Sequence, residues 1–262
     1  MRPGPAVTSR PARLHLWTLE GFPEIRPGDD LPQIIIGSLR QNGLAPQEGD
    51  VLVVAQKVVS KAEGRVVDLR EVRPTAAAER LGREAAKDPR MAELILQESR
   101  TINRSRPGLI IAEHRRGYIC ANAGVDHSNV AGSEEIVSLL PEDPDRSARE
   151  IREAVGRAFS AGVAVIISDS HGRPHREGAV GVAIGVAGFA PLRSYVGRPD
   201  RYGYVLRRTV EAVADELAAV AGLLQGQADE GTPVVLIRGA NPAGESGTAA
   251  DLIRAPEEDL YR

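Results

Sequence analysis

Apolar positions along the chain follow two rhythms, and the change from one to the other marks out the elements. HLWTLEGFPEIRPGDDL predicts a strand, then a turn rich in Gly and Pro, then an acidic helix entry at Asp29 and Asp30, where carboxylates suit the positive end of a helix. Leu31 to Gln41 is the helix, stopped by Asn42 and Gly43. In DVLVVAQKVVSKAEG the run Val51 to Ser60 is β-branched and almost wholly apolar, which predicts a strand covered on both faces. Thr75 to Ser99 reads as helical and is divided by Pro89. GLIIAEHRRGYICANAG predicts a hairpin with its polar tip at His114 to Gly117. Ser147 to Ala161 places Ile151, Val155 and Phe159 on one helical face. AGVAVIISD is the next buried strand, and the glycines of GVAIGVAG suggest another strand where backbone comes close. RYGYVLRRTVEAVADELAAVAGLLQGQADEG reads mostly as one long helix ending near Gly226, and TPVVLIRGA as a final strand. Helices mixed with strands, including at least one hairpin, predict an α/β or α+β fold with a mixed sheet.

Composition narrows the function classes. Hydrophobic residues make up 42% and charged residues 26% of the 262, values of a chain that buries a full core. The 33 basic and 36 acidic side chains nearly cancel, so no broad field draws in a polyanion, and the 3% aromatic content argues against base-stacking platforms. A single cysteine, Cys120, excludes an internal disulfide and any paired-cysteine metal motif. Neither a signal peptide nor a run of roughly 20 apolar residues is present, so a cytoplasmic protein with a frayed N-terminus is expected.

Four polar clusters sit at the ends of these elements. In SDSHGRPHREG, Asp169 and Ser170 offer hard oxygen ligands for Mg²⁺ or Mn²⁺, and Arg173 and Arg176 offer guanidinium groups for phosphate or carboxylate. A loop whose Asp caps a turn and pairs with an Arg is the alternative. His171 and His175 are four apart, but Pro174 spoils a helical zinc pair, so both are read as polar loop residues. In NAGVDHSN, Asp126 is either an Asx-turn residue or a second metal carboxylate, with Asn129 beside it. In QKVVSKAEGR, Lys57 and Lys61 on an ideal strand would lie roughly 13 Å apart, too far to share a phosphate unless the chain turns. In LLQGQADEG, Gln227 has a carbonyl oxygen for a metal and the loop amides could meet an anion, against a plain helix cap at Gly226. The usual phosphate loop, dinucleotide fingerprint and nucleophile elbow are missing, and Gly181, Gly185 and Gly188 are better read as packing glycines.

EGFPEIRPGDDL, DVLVVAQKVVSKAEGR, NAGVDHSN, ISDSHGRPHREG and LLQGQADEG, in this order from about Leu16 to Arg254, resemble the coenzyme F420-0:L-glutamate ligase family of γ-glutamyl ligases. The resemblance implies a ligase domain over residues 16–255, between a flexible tail at 1–15 and a short tail at 256–262. It implies an intertwined homodimer of two-lobed α/β subunits with no nucleic-acid or membrane partner. Asp126, Asp169, Ser170 and Gln227 fall on its metal positions, for Mg²⁺ or Mn²⁺ in a pair, with K⁺ as a further cation. Gly21, Phe22, Pro23, Glu24, Gln56, Lys57, Lys61, Asn129, Gln225, Gly226, Gln227, Ala228, Asp229, Glu230, Gly231 and Thr232 fall on nucleotide-contacting positions. The family commonly has Thr in place of Ser170, which keeps the hydroxyl, and Phe and Trp in place of His171 and His175, so the packing beside the site differs here.

The implied chemistry joins L-glutamate, and then further γ-linked glutamates, to coenzyme F420-0 or its dehydro form through an acyl phosphate made from GTP. No protein nucleophile is needed, and Arg173 and Arg176 would meet phosphate or substrate carboxylate. A metal-dependent phosphohydrolase and a nucleotide-binding protein without turnover are the rival readings.

Overall fold

The computed structural model describes residues 13–242, 244 and 246–260. Most of the expected N-terminal tail, and the last two residues of the C-terminal one, lie outside the described residues. In chain order the elements are β1 (His15–Thr18), α1 (Leu31–Gln41), β2 (Val51–Ala55), α2 (Gln56–Ala62), β3 (Val66–Asp68), α3 (Ala76–Ala85), α4 (Pro89–Glu98), β4 (Ser99–Arg106), β5 (Leu109–His114), β6 (Ile119–Ala121), β7 (Ile136–Ser138), α5 (Pro144–Phe159), β8 (Ala164–Arg173), β9 (Arg176–Ala187), β10 (Arg193–Ser194), β11 (Val210–Glu211), α6 (Val213–Gln225) and β12 (Val234–Arg238). Among the described residues no helix is long and apolar enough to cross a membrane.

Helix starts follow local chemistry. Asp30, Asp88 and Asp143 each accept a backbone amide at the head of α1, α4 and α5, and a proline stands in the first two positions of each helix, where a missing N–H costs nothing. Thr75 caps α3 in the same way through the amide of Ala78.

The main sheet is mixed, in the order β1-β12-β2-β8-β9, with β2 and β8 parallel and the other neighbours antiparallel. Its central strands are buried on both faces, which is why they read as unbroken apolar runs. Leu52, Val54, Val165, Ile167, Val234 and Leu236 pack with α1 and α5 in one core. Their alternates Val51, Val53, Ala164, Ile166, Val235 and Ile237 pack with α6 in another. A third core, outside the sheet, gathers α3, α4 and β5 around Leu81, Ile95 and Ile110.

The glycines of β9 are packing glycines, as expected. A Cβ at Gly181 would lie 2.4 Å from the Ala218 carbonyl oxygen of α6, and one at Gly185 would lie 2.5 Å from Pro144 at the head of α5. Helices from opposite faces therefore press directly on this strand. The edge of β9 is covered by those helices as well: Asp215 accepts the amide of Ala183 and Asp145 that of Val186.

Four expectations need correction. The strand from Val51 stops at Ala55 instead of Ser60, because Val58 and Val59 enter the core from a helix while Lys57 and Lys61 leave it on another face. Residues 170–173 extend β8 and are not a loop; the hairpin turns through Pro174 and His175. The helix expected from Arg201 begins only at Val213, since residues 193–211 form an arm closed by the β10–β11 pair. Strand β4, SRTINRSR, went unpredicted because it is a largely exposed edge with Ile102 as its one apolar residue.

Gly181→Ala should lower the unfolding free energy by about 1–3 kcal/mol through overpacking against α6. Urea denaturation measures this, and an unchanged midpoint would show that α6 gives way freely.

Candidate functional site

A cleft of about 1180 Å³ opens where the parallel strands end. Ala55 ends β2 there and Ser168 starts the projecting part of β8, the end of a parallel pair where α/β sheets usually place their ligands. Five separate stretches of sequence supply the walls: residues 22–25, 55–61, 126–134, 168–170 and 225–233.

The turn of the chain at Ala55 changes what the lysines can do. On α2, Lys57 and Lys61 are one helical turn apart, so their Cβ atoms lie about 5–6 Å from each other instead of the 13 Å of a strand. Both line the cleft. Lys57 donates to Asp126 Oδ2 at 2.7 Å and to Ser138 Oγ at 3.0 Å. Lys61 donates to Glu24 Oε1 at 2.5 Å. Beneath them, the buried amide oxygen of Gln56 accepts from Ser60 Oγ at 2.8 Å.

Asp126 forms the Asx turn that its sequence allowed. Its carboxylate makes an Asx-type bond with the amide of Ser128 at 3.1 Å, and Ser128 Oγ also donates to it. It also lines the cleft, with its backbone exchanging hydrogen bonds with Ser138 at the end of β7. Burial works to raise the Asp126 pKa, but the Lys57 charge and the Lys57 and Ser128 hydrogen bonds outweigh it, so the carboxyl sits below the usual carboxylate range.

Asp169 reaches the same cleft from β8, with Ser170 next to it and paired across the hairpin with Gly181. Asp169 Oδ2 is 3.1 Å from His171 Nε2. Nearby, burial followed by the Asp169 charge pushes the Cys120 thiol up to about 12, so the chain's one cysteine is no thiolate nucleophile.

The last wall is the loop after α6. Gln225 Nε2 donates to the carbonyls of Pro233 (3.1 Å) and Val53 (3.4 Å), and its oxygen accepts from Ser168 Oγ at 3.3 Å. Its amide therefore ties β2, β8 and the start of β12 together. Thr232 Oγ1 donates to the Leu224 carbonyl and closes the loop on the helix. Asn129, in the left-handed region at φ 53°, donates Nδ2 to the Ala228 carbonyl at 2.9 Å and joins two walls. The exposed Glu230 carboxylate folds back over Gly226 and accepts the Ala228 amide at 2.8 Å, and the loop amides hold its pKa low.

Every candidate site residue except Gly21, Arg173 and Arg176 lines this one cleft. Gly21 stands one residue before the wall, with φ 65°. Arg173 and Arg176 face each other at the hairpin tip, and Arg173 donates to the Glu177 carbonyl. Sequence reasoning missed Ser138, His127 and Ser133. Ser138 follows two apolar residues in a short strand and carries no local signal; only the fold brings it to Lys57.

Asp126, Asp169, Ser170 and Gln227 supply two carboxylates, a hydroxyl and an amide oxygen, a donor set suited to a hard divalent cation. Among the described residues no group of three or more His, Cys, Asp or Glu side chains is gathered for a metal, so an ion here would complete its shell with substrate or water oxygens.

The family model described as F420-0:Gamma-glutamyl ligase matches residues 21–239, which takes in the whole cleft. The chain belongs to this family. Similar proteins within it are the Coenzyme F420:L-glutamate ligases of Methanothermobacter thermautotrophicus (46% identical over 93% of this chain and 97% of that one), Methanopyrus kandleri (47%, over 91% and 94%) and Methanocaldococcus jannaschii (44%, over 82% and 86%).

In this gamma-glutamyl ligase family member the Lys57–Asp126 pair can be tested by titration. The lowered pKa means that ionised Asp126 stabilises the fold above its unfolded-state pKa, and that this stability is lost as pH falls through the folded value. With Lys57→Met, burial is opposed only by Ser128, so the carboxyl should titrate at higher pH in side-chain carbonyl NMR. An unmoved titration would show that Lys57 does not set it.

Proposed function

We propose that the protein is a coenzyme F420-0:L-glutamate ligase of the acid–amino-acid type that consumes GTP and releases GDP. The observation that carries this reading is the convergence of Asp126 and Asp169, from separate segments, on one cleft with Lys57, Lys61 and the 226–232 loop. That is the inventory of phosphoryl transfer, with oxygen donors for cations beside ammonium groups and loop amides for phosphates. Family membership and the activity for which the relatives are named support these substrates.

In this reading a carboxylate oxygen of F420-0 attacks the γ-phosphorus of GTP. The bond to the β,γ-bridging oxygen breaks, GDP leaves and an acyl phosphate forms. The amine of L-glutamate, having lost a proton, attacks the acyl carbon and expels phosphate, leaving an amide. A second round on the γ-carboxylate of the added glutamate extends the tail. Mg²⁺ or Mn²⁺ held by Asp126, Asp169, Ser170 and Gln227 supplies neutralisation of phosphate charge, and K⁺ is a further candidate cation. Lys57 and Lys61 orient the phosphates, the 226–232 loop lies against the nucleotide and Gln225 holds that loop to the sheet. Arg173 and Arg176, at the hairpin tip, would meet only the outer part of a long substrate.

The third core supports a reading of the subunit as two-lobed, and the 193–211 arm suits an intertwined dimer. The arm exposes Val196, Tyr204, Val205 and Val210, with Tyr202 88% exposed, an apolar surface that a second copy would cover. The wild type should sediment as a dimer, and Tyr202→Glu with Val205→Glu as a monomer. A monomeric wild type would end the dimer reading.

Incubation with GTP, Mn²⁺, L-glutamate and F420-0 should add one or more glutamyl residues, seen by mass spectrometry. GTP consumption that ignores glutamate and leaves F420-0 unchanged would instead favour a phosphohydrolase. Asp169→Ala should lower ligation by about 100-fold or more while the fold persists. Retained turnover would remove Asp169 from the site.

A further inference from the structure

A second cavity, of about 240 Å³, borders the β8–β9 hairpin and is separate from the cleft. The β5–β6 turn at Tyr118, strand β9 at Val182 and Ile184, Asp215 of α6, and the C-terminal segment with Arg254 and Asp259 line it. It is smaller than the roughly 300 Å³ at which sites for drug-sized ligands begin, so it suits something the size of an amino acid.

Two features mark it as a site and not a packing gap. Its walls carry both signs of charge, Arg254 against Asp215 and Asp259, with apolar side chains between them. It is also wired to the cleft: His171 lines this cavity, and its Nε2 lies 3.1 Å from Oδ2 of Asp169, which lines the other. Asp215 sits within the field of the same imidazole. Burial raises the Asp215 pKa, and the Ala183 amide and His171 pull it back.

We propose that this cavity is the subsite for the acceptor amino acid, a zwitterion with a second carboxylate, of the class of L-glutamate. This assignment rests on the ligase reading above. Arg254 holds a carboxylate, Asp215 faces the ammonium group, and the methylenes lie on Val182 and Leu252. His171 is a positioning residue between the two spaces, and the amine enters the cleft past it. The larger cleft keeps the nucleotide and the coenzyme, so donor and acceptor reach the reacting centre from different sides.

The test uses the full-length protein and two readouts. Saturation-transfer NMR with L-glutamate as probe should give signals with the wild type that are lost in Arg254→Ala. Arg254 is exposed, so this variant should fold, and Asp215→Asn, which keeps an acceptor for the Ala183 amide, is the second variant. In the ligation assay both variants should raise KM for L-glutamate by about tenfold or more while KM for GTP stays within about twofold. Glutamate signals and KM unaltered in Arg254→Ala, or no signals with the wild type, would overturn the subsite. A wild type that binds glutamate through Arg254 but transfers none would overturn the ligase reading and leave the subsite standing.

Discussion

The parallel pairing of β2 with β8 is the constraint on which the rest of the molecule depends. Val51 to Val54 and Val165 to Ile167 are all fully buried, and each such side chain contributes about 1.5–3 kcal/mol through burial alone. Cores on both faces lock the two strands into one register, with Ala55 beside Ser168. A slip of one residue would draw Asp169 level with Ala55 and toward the core, where an unpaired carboxylate is costly. The register that fills the cores is therefore the one that holds the acid at the mouth of the cleft.

From that pair the remaining walls are fixed by few bonds over long sequence distances. Gln225 touches β2, the residue before β12 and Ser168 at once, so the loop after α6 moves only if the sheet does. Asp126 is tied through its backbone to β7 and through its carboxylate to α2. Asn129 then spans to Ala228. Each wall is thus braced by its neighbour across the space that a substrate would enter, the rigid support that positioning catalysis needs.

How much of this was legible follows from which signals are local. Helix α1 was readable to the residue, since Asp30, Leu31, Asn42 and Gly43 are all local punctuation. The double burial of the central strands was visible as unbroken apolar runs. The turn at Ala55 was not visible, because Val58 and Val59 favour a strand as single residues and become helical only when α2 packs on the sheet. Polar β4 has no alternation to detect, and Ser138 becomes a site residue only through the β3–β7 pairing. The site residues themselves came through the resemblance of motifs, and the residues alone had left Asp126 open between an Asx turn and a ligand. Its geometry shows the Asx turn, and the same carboxylate also lines the cleft beside Lys57.

The charges of the cleft argue for a ligand that brings both signs with it. Lys57 is held by Asp126, Lys61 by Glu24 and the Ala228 amide by Glu230, so the cationic and donor groups suited to phosphate are already engaged by carboxylates of the chain. A bare polyanion entering here would compete with those carboxylates for the same cationic and donor groups and would lie beside their negative charge. A cation alone at Asp126 would face the ammonium of Lys57 at close range. A phosphate accompanied by a divalent cation removes both objections, since the cation takes the carboxylates and the phosphate takes the lysines. The arrangement therefore favours a phosphate that arrives with its cation over either component alone, which is the selectivity that the proposed reaction would require.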